Sequence, residues 1–137
     1  MFKTRAVTFG LILVASLAAG WPASLGQHMN APNGPCKNAG SSTAEQSQCF
    51  SVAYREADKK LNDVYAQVLK TLAPEAQQSL QAAERLWIQF RDANCEVEHG
   101  LYKGGSAAPM VLTACLEALT RQRADDLMTM LGYRVQR

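Results

Sequence analysis

The chain has 137 residues, with 14 basic and 12 acidic side chains and two histidines. That length supports one folded domain at most. The near-balanced charge carries no basic stripe with interleaved aromatics, which argues against a nucleic-acid partner.

The N-terminus opens with Lys3 and Arg5, followed by the apolar run Ala6 to Ala19 and then Gly20, Trp21 and Pro22. A basic start, a short apolar run and small residues after it describe a secretory signal peptide over residues 1–26. Ser24, Leu25 and Gly26 fit a small-x-small cleavage site, with Gly20 as the alternative. The run is short for a membrane span, which needs roughly 20 residues. The expectation is therefore a periplasmic or secreted protein with no stable membrane insertion after cleavage. Losing Lys3 and Arg5 leaves twelve basic against twelve acidic side chains.

Residues 27–41 are rich in Asn, Gly and Pro and read as an extended leader without helix or strand of its own. Ser42 with Glu45 forms a capping box that starts a helix over about 43–72. Its apolar face is Cys49, Val52, Ala53, Ala57, Leu61, Val64, Tyr65, Val68, Leu69 and Leu72. Pro74 ends that helix and suits the first turn of a second, over about 75–98. The second carries Leu80, Ala83, Trp87, Phe90, Asn94 and Val97 at helical spacing, and Gly100 stops it. Pro109 starts a third helix, whose face is Leu112, Cys115, Leu116, Leu119, Arg123, Leu127 and Met130. Gly132 ends it and leaves residues 133–137 as a tail. The fold class is all-α: an antiparallel three-helix bundle with two disulfides.

Four cysteines, Cys36, Cys49, Cys95 and Cys115, in an exported domain read as two disulfides. Their gaps of 13, 46 and 20 residues lack the short paired spacing of a zinc site, so neither metal nor cofactor is expected. In an antiparallel register Cys49 lies level with about residue 99 and Cys95 level with about residue 113, which collects all four at one end. Cys36–Cys49 with Cys95–Cys115 is the favoured pairing. Cys36–Cys115 with Cys49–Cys95 stays geometrically open.

Candidate chemistry is sparse. His28 sits in the leader and His99 at a helix end, where a positive charge suits the dipole. Neither can activate a cysteine committed to a disulfide. Glu96/Glu98 and Asp125/Asp126 diverge around a helix, so neither pair presents two carboxylates to one substrate. No catalytic residues are expected. Asp58, Asn62 and Tyr65 share a face of the first helix, Trp87 and Arg91 lie on the second, and Thr120 and Arg123 on the third. They read as a structural polar network, with Asp58 level with about residue 90 and close to Arg91. The loop at Tyr102, Lys103, Gly104, Gly105 and Ser106 has the strongest partner-binding character. The glycines permit a tight turn, Tyr102 offers an amphipathic anchor, Lys103 a charge, and Ser106 a hydroxyl or a helix cap.

Four stretches together carry a family resemblance: "CFSVAYREADKKLNDVY" from Cys49, "AERLWIQFRDANC" from Ala83, "GGSAAPM" from Gly104 and "CLEALTRQRADDL" from Cys115. In order and spacing they resemble the LprI-like lysozyme-inhibitor domain family over roughly Cys36 to Leu131, within a domain of residues 42–132. Phe90 fills the aromatic position before Arg91. The resemblance implies a small disulfide-bonded helical domain in the bacterial envelope or outside the cell, with a protein partner such as lysozyme. The absence of a lipobox cysteine departs from lipoprotein members and points to a soluble form. Two further readings stand beside inhibition: an envelope interaction protein with a different enzyme, toxin or assembly partner, and an enzyme of unrecognised type.

Overall fold

The structure is a computed structural model that describes residues 28–135, with side chains through Gly132. The expected signal peptide, its cleavage site and the last residues of the tail lie outside the described residues. Three long helices make up the domain: α1 (Thr43–Thr71), α2 (Pro74–Gly100) and α3 (Ala108–Val135). None of them is long and apolar enough to cross a membrane.

The helix ends follow local chemistry. Ser42 is extended and accepts from the Glu45 backbone N–H, while the Glu45 carboxylate reaches back to the Ser42 backbone N–H: the capping box that starts α1. Ala73 precedes Pro74, so it is held extended and α1 cannot run on. Gln77 then donates to the carbonyls of Leu69 and Leu72, at 3.1 and 3.0 Å, and satisfies the end of α1 from the start of α2. Gly132, expected as the stop of α3, is helical instead, and the helix continues to Val135. A glycine inside a helix costs only about 1 kcal/mol, and Gly132 does not adopt a positive φ.

The leader also departs from expectation. His28–Asn30 forms a short 3-10 turn, and further turns carry the chain to a buried Cys36. The reason is tertiary: Met29, Cys36 and Ala39 pack with Phe50, Met110 and Ala114, so a segment with little helix propensity is pinned across the start of α3.

Both favoured disulfides are present. Cys36–Cys49 ties this segment to α1, and Cys95–Cys115 ties α2 to α3. Each closes a short loop and contributes ~2–4 kcal/mol by restricting the unfolded chain. All four cysteines lie at one end, as the antiparallel register requires.

Two turns make α1 and α3 parallel, and these two helices form the main packed pair. Phe50 meets Met110 and Ala114 at one end, while Leu61, Val64 and Val68 meet Ala124 and Leu127 at the other. Ala57, Ala114 and Ala124 are buried, and such small side chains allow two backbones to approach closely. Helix α2 lies against α3, leans on the core through Leu80 and Trp87, and opens away from α1 along much of its length.

The buried arcs differ from those expected. In α2, Leu80 and Cys95 are buried, but Ala83, Phe90 and Val97 face solvent. In α1, Val52 is exposed and Phe50 fills the core instead. In α3 the buried residues are Ala108, Met110, Val111, Ala114, Cys115, Glu117, Thr120, Ala124 and Leu127, while Met130 is exposed. The first half of α3 is covered by the leader as well as by its helical neighbours, so its apolar residues wrap most of the way round.

Candidate functional site

Two features stand out: the loop between α2 and α3, and a cleft between α1 and α2. The loop leaves α2 through a chain of tight turns. Tyr102 donates to His99 O at 3.0 Å, Lys103 to Gly100 O at 3.3 Å and Gly105 to Tyr102 O at 2.9 Å. Gly104 takes φ +87°, a conformation that side chains resist, although open space surrounds the position a Cβ would occupy. Lys103, Gly104, Gly105 and Ser106 are exposed, and Tyr102 is half-buried rather than projecting freely. Ser106 does not cap α3 among the described residues; the helix begins at Ala108, and Val111 donates to Ala107 O at 3.0 Å. The Cys95–Cys115 disulfide brackets the loop, so its two ends are held together at its base.

The cleft holds about 280 Å³ and is lined by Asp58, Asn62 and Tyr65 from α1 and by Glu84, Arg85, Trp87 and Arg91 from α2, among others. The register thus brings Asp58 and Arg91 to one cleft, as the spacing predicts. The expected bond between them is not formed among the described residues. Asp58 instead accepts from Asn62 Nδ2 at 3.2 Å, one helical turn away. Arg91 donates to Asp92 at 2.7–2.9 Å, reaches Thr120 Oγ1 at 3.4 Å and lies 5.2 Å from the Trp87 ring centroid. The physical reason is the splay of α2: α3 and the ring are nearer to the guanidinium than α1 is. A cation over an indole is worth about 0.5–2 kcal/mol, so Arg91 is held as much by Trp87 as by charge.

Arg123 has a partner that the sequence did not suggest. Its guanidinium grips Glu84, with Nε donating at 2.9 Å, and both side chains are largely buried. Glu84 was detectable only through register: it lies level with Arg123 across the α2–α3 turn. Thr120 is fully buried beneath Arg91. A second missed pair joins the leader to α2. The His28 backbone N–H donates to Glu98 Oε1 at 2.8 Å, and His28 Nδ1 bonds Glu98 Oε2 at 2.6 Å. His28, Glu98 and Cys115 also present donor atoms close together. The Cys115 sulfur is committed to Cys95, so this cluster offers a metal only two free donors.

Neither cleft carboxylate is free for acid–base work: Asp58 is bonded by Asn62 and Glu84 by Arg123. A wider groove of about 740 Å³ between α1 and the end of α3 has both its lysines paired already, with Lys59 on Asp63 at 2.6 Å and Lys60 on Asp125 at 2.7 Å. What the described residues define is a small, disulfide-stapled helical domain with a disulfide-bracketed loop at one end and a narrow polar cleft along its side. The chain belongs to the LprI lysozyme-inhibitor family: the family pattern described as "Lysozyme inhibitor LprI" matches residues 36–127. It is also 31% identical over 113 residues to an uncharacterised protein of Rhizobium meliloti (strain 1021), covering 73% of this chain and 81% of that protein. No solved structure matches the chain. Membership of an inhibitor family and two disulfides together favour a protein that works outside the cytoplasm.

Proposed function

We propose that this protein is exported to the periplasm or beyond and there binds and inhibits lysozyme-type cell-wall hydrolases. Family membership over residues 36–127 carries the reading. The contact is the loop Tyr102–Lys103–Gly104–Gly105–Ser106, held at its base by Cys95–Cys115. Such hydrolases act with two carboxyl groups across a cleft. A projecting ammonium from Lys103 and the backbone N–H of Gly104 are suitable donors to those groups, while the Gly105 N–H is spent on Tyr102 O inside the loop. A loop constrained before binding loses less entropy on docking. Asp58, Asn62, Tyr65, Trp87, Arg91, Thr120 and Arg123 then serve as scaffold, and the protein itself performs no reaction.

The test is cell-wall turnover by lysozyme with and without the oxidised protein. Dose-dependent loss of turnover is expected, and full turnover at high micromolar protein would sink the proposal. The balanced charge favours a second reading, because many lysozymes are basic and this domain offers no acidic excess to attract them. That reading is an envelope protein with another enzyme, toxin or assembly partner, and capture from envelope extract separates the two.

A further inference from the structure

Helix α2 carries two apolar seams. The inner one, Leu80, Trp87 and Cys95, faces the core. The outer one has Ala83, Phe90 and Val97 seven residues apart, interleaved with Leu86 and Ala93 in alternating steps of three and four. That is the heptad pattern of a helix made to pack against another helix. Yet every one of these residues is exposed: Leu86 by 66%, Phe90 by 59% and Val97 by 71%, with Leu101 continuing the line at 64%. No helix of the described domain covers this seam.

We propose that the outer face of α2 is the contact of an antiparallel homodimer with its two-fold axis at Phe90. The sequence of the seam is self-complementary in that arrangement. Phe90 meets its own copy, Val97 meets Ala83, and Leu86 meets Ala93, so large side chains face small ones on both sides of the axis. The charges agree. Arg85, at the edge of the α1–α2 cleft, and Glu96, 3.5 Å from His99 Nδ1, lie on the same flank of the seam; both are exposed, and Arg85 has no ion-pair partner among the described residues. About 16 Å of helix separates them, so they cannot pair within one copy. Across the two-fold axis each Arg85 stands level with the Glu96 of the other copy, giving two symmetric pairs. An isologous interface requires this reciprocity.

The area is sufficient for a modest dimer. Four large side chains with most of their surface free, plus the alanines and polar flanks, amount to on the order of 500 Å² per copy and ~1,000 Å² in total, the lower end of specific interfaces. Micromolar dissociation is expected. The arrangement leaves both α2–α3 loops uncovered at opposite ends, about 40 Å apart. This inference stands apart from lysozyme inhibition and does not depend on it.

Sedimentation equilibrium of the oxidised exported protein, from low to high micromolar, tests it. A mass of two copies at the upper end is expected. Phe90→Glu places two carboxylates on the axis and should weaken association more than tenfold, with circular dichroism unchanged because Phe90 is largely in solvent; Val97→Asp is a second such variant. Arg85→Glu should also weaken the dimer, and adding Glu96→Arg should restore it, which only contact between copies can produce. A monomer throughout the range, a Phe90→Glu dimer as tight as wild type, or a charge reversal that fails to restore association overturns the proposal. A monomeric wild type that loses lysozyme inhibition on Phe90→Glu also overturns it and assigns the seam to a different protein.

Discussion

His28 and Glu98 are joined by two hydrogen bonds to the two oxygens of one carboxylate, at 2.8 Å from the backbone and 2.6 Å from Nδ1. The Glu98 side chain is only 11% exposed, so the contact is sheltered beside the Cys95–Cys115 disulfide. It fastens the first described residues to the far end of α2. Glu98→Ala removes both hydrogen bonds and should free the segment over 28–35, whose covalent tie to α1 begins only at Cys36. Hydrogen exchange of that segment should rise about tenfold, equivalent to ~1.4 kcal/mol. Exchange at Val64 and Val68 should stay unchanged. Equal protection of the segment in both proteins would show that packing alone holds it.

Glu84 and Arg123 should behave as a mostly buried pair. Their side chains are 12% and 19% exposed, so removing one leaves the other poorly solvated. Arg123→Ala should destabilise the domain by roughly 2–4 kcal/mol. At ~4–8 °C per kcal/mol for a domain of this size, the fall in Tm is roughly 10–30 °C. Replacing both residues by leucine should recover much of that loss, since the buried charges leave together. A double variant no better than Arg123→Ala would place the energy in packing rather than in charge.

The capping box sets a pH dependence at the start of α1. Hydrogen bonds from the Ser42 side chain and backbone hold the Glu45 carboxyl below its ordinary value of 4.5. A carboxyl whose folded pKa is depressed stabilises the fold above its unfolded value, and that contribution disappears as pH falls through the lowered folded value. NMR titration should therefore find Glu45 ionising below 4.5, and Ser42→Ala should return it toward 4.5. The site is at the surface, so fraying should be confined to the first turn of α1. An unchanged Glu45 titration in Ser42→Ala would rule out the Ser42 hydroxyl as the main cause.

Lys103→Glu separates scaffold from contact. Lys103 is exposed in a loop whose base is fixed by Cys95–Cys115, so reversing its charge should change stability by only a few tenths of a kcal/mol. If the loop meets a carboxylate-lined cleft, the same change should weaken inhibition at least tenfold, or ~1.4 kcal/mol. Undiminished inhibition by the variant removes Lys103 from the contact and moves attention to the polar cleft between α1 and α2.

The sequence by itself determined what depends on neighbours along the chain. Ser42 with Glu45, Pro74 and the glycine-bearing loop at Gly104 set where helices start and stop, because caps and φ restrictions act within a few residues. Helix lengths and short turns collected the four cysteines at one end and favoured Cys36–Cys49 with Cys95–Cys115, the pairing observed, but left Cys36–Cys115 with Cys49–Cys95 open. Only the tertiary structure decided which arc of each helix is buried. Helical spacing marks Ala83, Phe90 and Val97 as apolar without saying that the core lies on the neighbouring arc, through Leu80, Trp87 and Cys95. Nor does spacing say that α1 packs along α3 while α2 leans outward, leaving Asp58 with Asn62 and sending Arg91 to Trp87 and Thr120. The bonds from His28 to Glu98 and from Arg123 to Glu84 join parts of the chain 70 and 39 residues apart. Partners at such distances are chosen by the three-dimensional competition of packing and desolvation among all nearby groups, and no local pattern carries that outcome.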